Sequence, residues 1–226
     1  MGKVIMSGIV PQLAAPSKGI ALADIAEGSI VKLNENGSPV EFYVAKHNYE
    51  SGLNGSGKTL LVRKACYNQK MAWSSKQNQF YTSDIKAWLN GTYLGMLDAE
   101  VQTAIGTTSV YCTQGGGANR VTTYSLPVFM LSMTELGFSA TYANAEGSLL
   151  PTATLLRSVA VHNDLTTRRW TRTPSTYDSV KVWIVSDDDN TSTSNCTDAQ
   201  YNARPCFTLP ATTMFDEKTL LFKGVS

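Results

Sequence analysis

Histidine, cysteine and charge are all scarce in this chain, and each scarcity closes a route to function. Among 226 residues there are two histidines, His47 and His162, and neither has a partner at a metal-ligand spacing. A zinc centre is therefore not expected, and each histidine reads as an ordinary hydrogen-bonded or surface residue. The four cysteines, Cys66, Cys112, Cys196 and Cys206, include no C-x-x-C pair, which argues against a disulfide framework and a metal cluster alike. Cys196 and Cys206 are near enough in sequence for a bridge worth about 3 kcal/mol of loop-closure entropy, but reduced thiols are the plainer expectation. Only 16% of positions are charged, nineteen basic against eighteen acidic, so no electrostatic footprint for nucleic acid or an anionic membrane is present. Long apolar runs are missing too. The N-terminal VIMSGIVPQLAAPSKGIA is broken by Ser, Gly, Pro and Gln, and it reads as neither a signal peptide nor a membrane span. A G-x-S-x-G nucleophile elbow is absent, and Asp84, Asp98, Glu100 and Glu135 fall in helical segments, where first-turn carboxylates are explained by the helix dipole. Nothing selects a reaction, and the chain is expected to be non-enzymatic, with no cofactor and no metal.

The length suits one domain that buries roughly 70% of its unfolded surface. Residues 1–25 carry Gly2, Gly8, Pro11, Pro16 and Gly19 among apolar residues, and they read as an extended arm that docks on something else. Residues 26–226 form the domain proper. IVKL and VEFYVAKHNY, joined across Asn36-Gly37, carry the strongest short-range hairpin signal. YTSDIKAWLNG predicts a helix with Ser83 or Thr82 as N-cap, Ile85, Trp88 and Leu89 on one face and Asn90-Gly91 as the stop. LGMLDAEVQTAI predicts a second with Leu94, Leu97 and Val101 in its stripe. SMTELG predicts a short third, with Ser132 and Glu135 in capping-box spacing and Gly137 as terminator. The rest is short β-like runs such as SVYCT, VTTY and VFML, so the fold class is α+β, antiparallel hairpins with two to three short helices and much irregular loop.

Gly52, Gly57, Lys58 and Thr59 satisfy the P-loop pattern G-x-x-x-x-G-K-[ST]. A working P-loop needs a helix next, whose N-terminus faces the phosphates. The chain instead runs on into TLLVRKACY, with contiguous Leu60, Leu61 and Val62, a strand pattern. The segment is expected to link two antiparallel strands, and nucleotide hydrolysis is the minor alternative.

The C-terminal third is more informative. Of the thirteen residues from Ser186 to Asp198, twelve are Ser, Thr, Asn or Asp. Such a run is expected to be a solvated loop held up by the apolar strands around Val180–Val185 and Phe207–Leu209. With Tyr177, Trp183 and Tyr201 close by, it has the composition of a recognition surface: aromatic anchors plus adaptable hydrogen bonding. Three consecutive carboxylates at Asp187, Asp188 and Asp189 cannot all point one way on a strand, so solvated charge is expected there in preference to a cation site.

The order HNYE, TLLVRKACY, SDIKAWLN, VFMLSMTELG, EGSLLP, W-x-R-T-P and A-R-P-C-F-T-L resembles an uncharacterised domain family common in bacterial prophages and gut bacteria, over roughly residues 28–210. That family is similar in turn to the C-type-lectin-like fold of formylglycine-generating-enzyme relatives and of the variable proteins of diversity-generating retroelements. The resemblance implies a structural frame of Trp170, Arg172, Pro174, Arg204 and Pro205, and a display face over about 168–206. It implies ligand contacts from Tyr177, Asp178, Lys181, Trp183, Asp187, Asp188, Asp189, Asn190, Ser192, Ser194, Asn195, Tyr201 and Asn202. In those retroelements adenines are randomised; between Ser186 and Ala203 only Gln200 lies outside the residues that an altered Asn codon can reach. Ala203 stands where the family often has a larger apolar residue.

The function implied is a phage virion protein, tail-associated, made in the bacterial cytoplasm, that binds a host cell-surface glycan or protein. The arm would dock it to other virion proteins, and weak single sites would call for a homo-oligomer such as a trimer. A structural decoration or adaptor protein without a ligand is the alternative.

Overall fold

Turn chemistry sets the first sheet. The computed structural model describes residues 18–158, 168–186 and 189–225. In it, strands β1 (Gly19–Ala21), β2 (Ile30–Glu35) and β3 (Ser38–Lys46) open the chain. β2 and β3 pair antiparallel, with Glu35 opposite Ser38, and the two residues between them, Asn36 and Gly37, take φ of 52° and 74°. Two consecutive left-handed residues make the hairpin turn whose twist matches that of the strands, and Asn-Gly tolerates it best.

A single helical turn, α1 (Ser51–Asn54), leads into β4 (Lys58–Arg63), and a short β5 (Lys70–Met71) precedes the helices α2 (Asp84–Trp88) and α3 (Ala99–Ile105). β6 (Thr108–Gly115) and β7 (Ala118–Leu126) form a two-stranded hairpin, followed by α4 (Ala153–Ser158). The C-terminal part holds β8 (Arg169–Pro174), β9 (Lys181–Val185), β10 (Thr191–Asn195), β11 (Tyr201–Asn202), β12 (Cys206–Pro210), β13 (Thr213–Asp216) and β14 (Phe222–Val225). Among the described residues the sheets run β12-β4-β3-β2, β10-β9-β8-β11-β5, β1-β13-β14 and β6-β7. Their pairings are antiparallel except where β11 meets β8. The class is therefore mixed α+β, mostly strands with few short helices.

The contiguous Leu60, Leu61 and Val62 are explained by position: β4 is central, between β3 and β12, and all three side chains are buried. Phe42 of β3 and Phe207 of β12 meet across it with ring centroids 5.4 Å apart. At the end of β2, Glu35 is buried and satisfied by Arg63 Nε at 3.0 Å, Arg63 Nη2 at 3.1 Å and the Tyr93 hydroxyl at 3.0 Å.

Several sequence expectations need correction. Ser83 does cap α2, its hydroxyl accepting from Lys86 N at 3.2 Å, but Asn90-Gly91 does not stop the chain's helical course. It continues as one wider turn over Leu89–Tyr93 and a tight turn over Leu94–Met96. Asn90 is used otherwise: its carboxamide donates to Lys86 O and Val128 O, both at 2.9 Å, and accepts from Val128 N at 2.9 Å. That ties the turn to the segment after β7. Leu94 thus belongs to this first helical stretch, which runs to Met96, and the second, α3, begins only at Ala99. The Ser132/Glu135 capping box forms with both bonds, Glu135 N to Ser132 Oγ at 3.1 Å and Ser132 N to Glu135 Oε2 at 2.9 Å. It closes a single turn and no helix, ended by Gly137 at φ 79°. The described part of the expected arm, residues 18–25, belongs to the domain: β1 pairs with β13, and Leu22 and Ile25 are buried. Residues 1–17 and His162 lie outside the described residues.

Candidate functional site

Of the described residues expected to present a face, Tyr177 and Asp178 lie in the turn after β8, Lys181 and Trp183 on β9, Asp189 and Asn190 before β10, Ser192, Ser194 and Asn195 on β10, and Tyr201 and Asn202 on β11; beneath the first of these is a buried ionic frame. β8 carries the W-x-R-T-P segment, and every residue of it is buried. Trp170 donates its indole N–H to Met71 O at 2.9 Å and packs edge-on against Tyr201, centroids 4.7 Å apart. Arg172, with no exposed side-chain surface, grips Glu135 with both terminal nitrogens, Nη1 to Oε2 at 2.5 Å and Nη2 to Oε1 at 2.9 Å. Its remaining N–H groups reach Tyr111 O at 2.9 Å and Met130 O at 2.8 Å. A bidentate pair with every donor satisfied is the form in which a buried ion pair is tolerable. Tyr49 donates its hydroxyl to Glu135, and burial beside that carboxylate holds the phenol well above its usual range. Glu146 is the second buried acid. It accepts from Thr113 N at 2.6 Å and from the Thr173 hydroxyl at 2.8 Å, and burial raises its pKa against the opposing pull of Arg172. The sequence pattern makes Glu135 a helix-dipole residue; in the structure it is the capping carboxylate of its turn and the counterion of Arg172 at once.

On this frame stands the turn between β8 and β9. Asn78, buried and unremarked in the sequence, donates its carboxamide to Ser175 O at 3.0 Å, Asp178 O at 2.8 Å and Lys181 O at 2.7 Å. Its backbone amide donates to Ser179 O at 2.8 Å, and its side-chain Oδ1 accepts from Gly116 N at 2.7 Å. Gly115 is required beside it, since a Cβ there would lie 2.0 Å from the Asn78 carbonyl oxygen. The turn thus pinned projects Tyr177, 77% exposed. Against it leans Tyr142, 47% exposed, with ring centroids 4.9 Å apart. Tyr142 lies in the 138–149 loop, outside every residue singled out from sequence. Its carbonyl accepts from Thr176 N at 2.9 Å and from the Trp183 indole at 3.1 Å. The Tyr142–Tyr177 ring pair therefore stands on a braced base, tied through the Tyr142 carbonyl to the Trp183 indole.

The remaining expected contacts divide. β10 is a strand paired in register with β9, Thr193 opposite Trp183 and Asn195 opposite Lys181, so the hydroxyl-rich run is in part an edge strand and not simply a loop. Asp189, Asn190, Ser192 and Asn195 are exposed, and Lys181 is half-buried beside them. Asp189 lies 3.4 Å from Arg157 Nε, at the rim of a cleft of about 400 Å³ lined by Leu149, Pro151 and Arg157 among others. Asp178 turns back to cap Val180 N at 3.0 Å. Ser194 and Asn202 are buried and do not reach a presented surface: Ser194 donates to Asp198, and Asn202 donates to Tyr67 O at 2.8 Å. Tyr201, on β11, is two strands from Trp183 and spends its ring on Trp170. Asp187 and Asp188 lie outside the described residues. Pro174, Arg204 and Pro205 are buried.

The P-loop match has no P-loop geometry. Lys58 begins a strand, its ammonium donates to Thr107 O, and the Thr59 hydroxyl faces His47 Nδ1 at 2.9 Å. His47 Nε2 is 3.0 Å from Ile25 O, so that nitrogen is the donor and the histidine is a bracing residue. All four cysteines are free and buried. Cys196, in the turn after β10, and Cys206, on β12, are unbridged, and among the described residues no three His, Cys, Asp or Glu side chains gather as a metal site. Likewise, no described helix is long and apolar enough to cross a membrane.

No curated protein and no solved structure matches this chain. A family model does, over residues 56–211, from β4 through the end of β12, which takes in both the Asn78 clamp and the β8–β10 face. With more than half its length matched, the chain belongs to the family described as "Domain of unknown function (DUF6273)".

Proposed function

We propose that the domain is a non-catalytic recognition module and that its ligand is a glycan of a cell surface. The observation that supports this reading is the exposed Tyr142–Tyr177 pair tied to Trp183. Large apolar rings stay in solvent only at a cost, and Tyr177 stands on a turn fixed by the Asn78 clamp. Rigid aromatic faces suit the apolar C–H faces of sugar rings, and the neighbouring Lys181, Thr193, Asn195 and Asp189 offer the adaptable polar groups that would read hydroxyls.

The finer reading rests on the resemblance and on composition: a C-type-lectin-like fold, a place on a phage virion, and a face diversified by a retroelement. Under it, several copies would be displayed together, because one shallow site of this kind binds weakly and linked sites can gain about 10² to 10⁴ in avidity. Codon-resolved sequencing of the gene across a population tests the diversification. Adenine-confined substitutions at Asn190, Ser192 and Asn195, with the buried Ser194 and Asn202 held constant, support it; uniform variation, or none, removes it.

Alanine at Tyr142, Tyr177 and Trp183 together tests the binding role. Loss of adsorption to host cells with an unchanged melting temperature is expected. Unchanged adsorption would mean a structural component with no ligand on this face.

A further inference from the structure

Two guanidinium groups share the interior, and no carboxylate among the described residues forms an ion pair with either. Arg169 of β8 and Arg204, just before β12, are both buried, and both donate to the same carbonyl, Leu156 O, Arg169 Nη2 doing so at 3.4 Å. Arg204 also donates to Arg63 O at 2.8 Å and Lys64 O at 2.9 Å, so each of its three nitrogens has a partner and two N–H groups are left over. Arg169 is less well held: its second bond, to Arg157 O, is also long at 3.4 Å, and its Nη1 is buried with no hydrogen-bond partner. Burial and the mutual repulsion of the two cations push Arg204 down to about 10, and burial lowers Arg169 as well. Other charges nearby are already engaged. Arg63 is held by Glu35; Asp189, exposed and set against Arg157, also acts on Arg169; the Cys66 thiol neighbours both cations, and Tyr43 and Cys206 stand near Arg204. Between the pair is a small void walled by Leu131, Leu136, Arg169, Trp170 and Arg204, in which the centre of a single small guest can move through about 10 Å³.

A buried cation with an unused donor costs several kcal/mol unless a counter-charge or acceptor reaches it. Leucines on two sides disfavour a strongly hydrated guest, and the void is too small for a polyatomic one. We infer that this void is a site for one monatomic halide, chloride in solution, held by Arg169 Nη1 together with the Arg204 guanidinium. The ion is structural: it ties β8 to the 63–64 segment and to α4 through the two arginines.

The test uses the full chain. Thermal unfolding is followed as sodium gluconate is replaced by sodium chloride at constant ionic strength, and crystals grown in sodium bromide are measured for anomalous scattering. Chloride at ten times its dissociation constant is expected to raise Tm by about 3–6 °C, with no such rise in Arg169→Met, and a bromide peak is expected between Arg169 and Arg204. A chloride effect equal in wild type and Arg169→Met, or no chloride effect at all, overturns the inference. So does a void that shows water and no bromide, a result that stands even if the variant fails to fold.

Discussion

Replacing Arg172 by Met removes the cation between two buried acids, and the structure sets the size of the loss. The side chains of Arg172 and Glu135 have no exposed surface, so neither charge is screened by solvent. Arg172 also lies 3.9 Å from Glu146 Oε2. Breaking a buried pair by deleting one partner costs about 3–5 kcal/mol, because the survivor is left charged in the interior. The carbonyls of Tyr111 and Met130 lose a donor as well, at roughly 1 kcal/mol each, though contributions within one network do not add cleanly. A total of at least about 4 kcal/mol is expected, which for a domain of this size lowers Tm by about 8–16 °C. Urea unfolding of wild type, Arg172→Met, Glu135→Gln and the double variant measures it as a cycle. The double variant is expected to recover part of the loss, since the carboxamide that Glu135→Gln introduces carries no charge and can still accept from Tyr49. A loss below about 1 kcal/mol for Arg172→Met, or strictly additive effects, would refute the picture of a dry, coupled frame.

Other consequences come from the same geometry. Glu146 has its folded pKa raised by burial, so its contribution to stability is fully present below the unfolded value of about 4.3 and is lost as pH rises through the folded value. Glu146→Gln, which can keep the Thr113 contact, should therefore gain stability relative to wild type at pH 7 compared with pH 4.5, read from urea midpoints; an unchanged difference would contradict the burial argument. Asn78→Ala should cost about 2–3 kcal/mol and speed amide exchange at Val180 and Lys181, while leaving exchange in β2 and β3 unchanged. Gly115→Ala should cost about 1–3 kcal/mol, because Gly115 has φ 72° and its Cβ would collide with the Asn78 backbone. Mg-ATP should leave Tm unmoved in wild type and in Lys58→Ala; a nucleotide-dependent rise lost in the variant would restore the hydrolase reading.

What could be read from sequence was local. Asn36-Gly37 declared its hairpin, Ser132 and Glu135 their capping box, and Leu60-Leu61-Val62 a strand, because each signal is complete within a few residues. What could not be read was the meeting of distant groups. Glu135 looks like a first-turn acid until Arg172 arrives from β8, 37 residues on. Asn78 lies in a polar stretch with no periodicity, yet its partners stand about a hundred residues away. The hydroxyl-rich run after Val185 reads as a loop by composition, since the partner that makes it an edge strand, β9, supplies the apolar face. Tyr142 carried no local signal: a lone tyrosine among Ala, Thr and Asn is recognisable as part of a site only once Tyr177 and Trp183 are placed against it.

The recognition role is tested most directly by presenting wild type, the Tyr142→Ala/Tyr177→Ala variant and Tyr81→Ala, each coupled in many copies to one carrier, to an array of bacterial surface glycans. Tyr81 is the control because it is another exposed ring, 45% open, stacked on Tyr124 and not on Tyr142 or Tyr177. Binding by wild type and Tyr81→Ala to a common set of glycans, abolished in Tyr142→Ala/Tyr177→Ala at unchanged Tm, is the predicted result. Binding that survives the loss of Tyr142 and Tyr177, or no glycan bound by wild type, would contradict it.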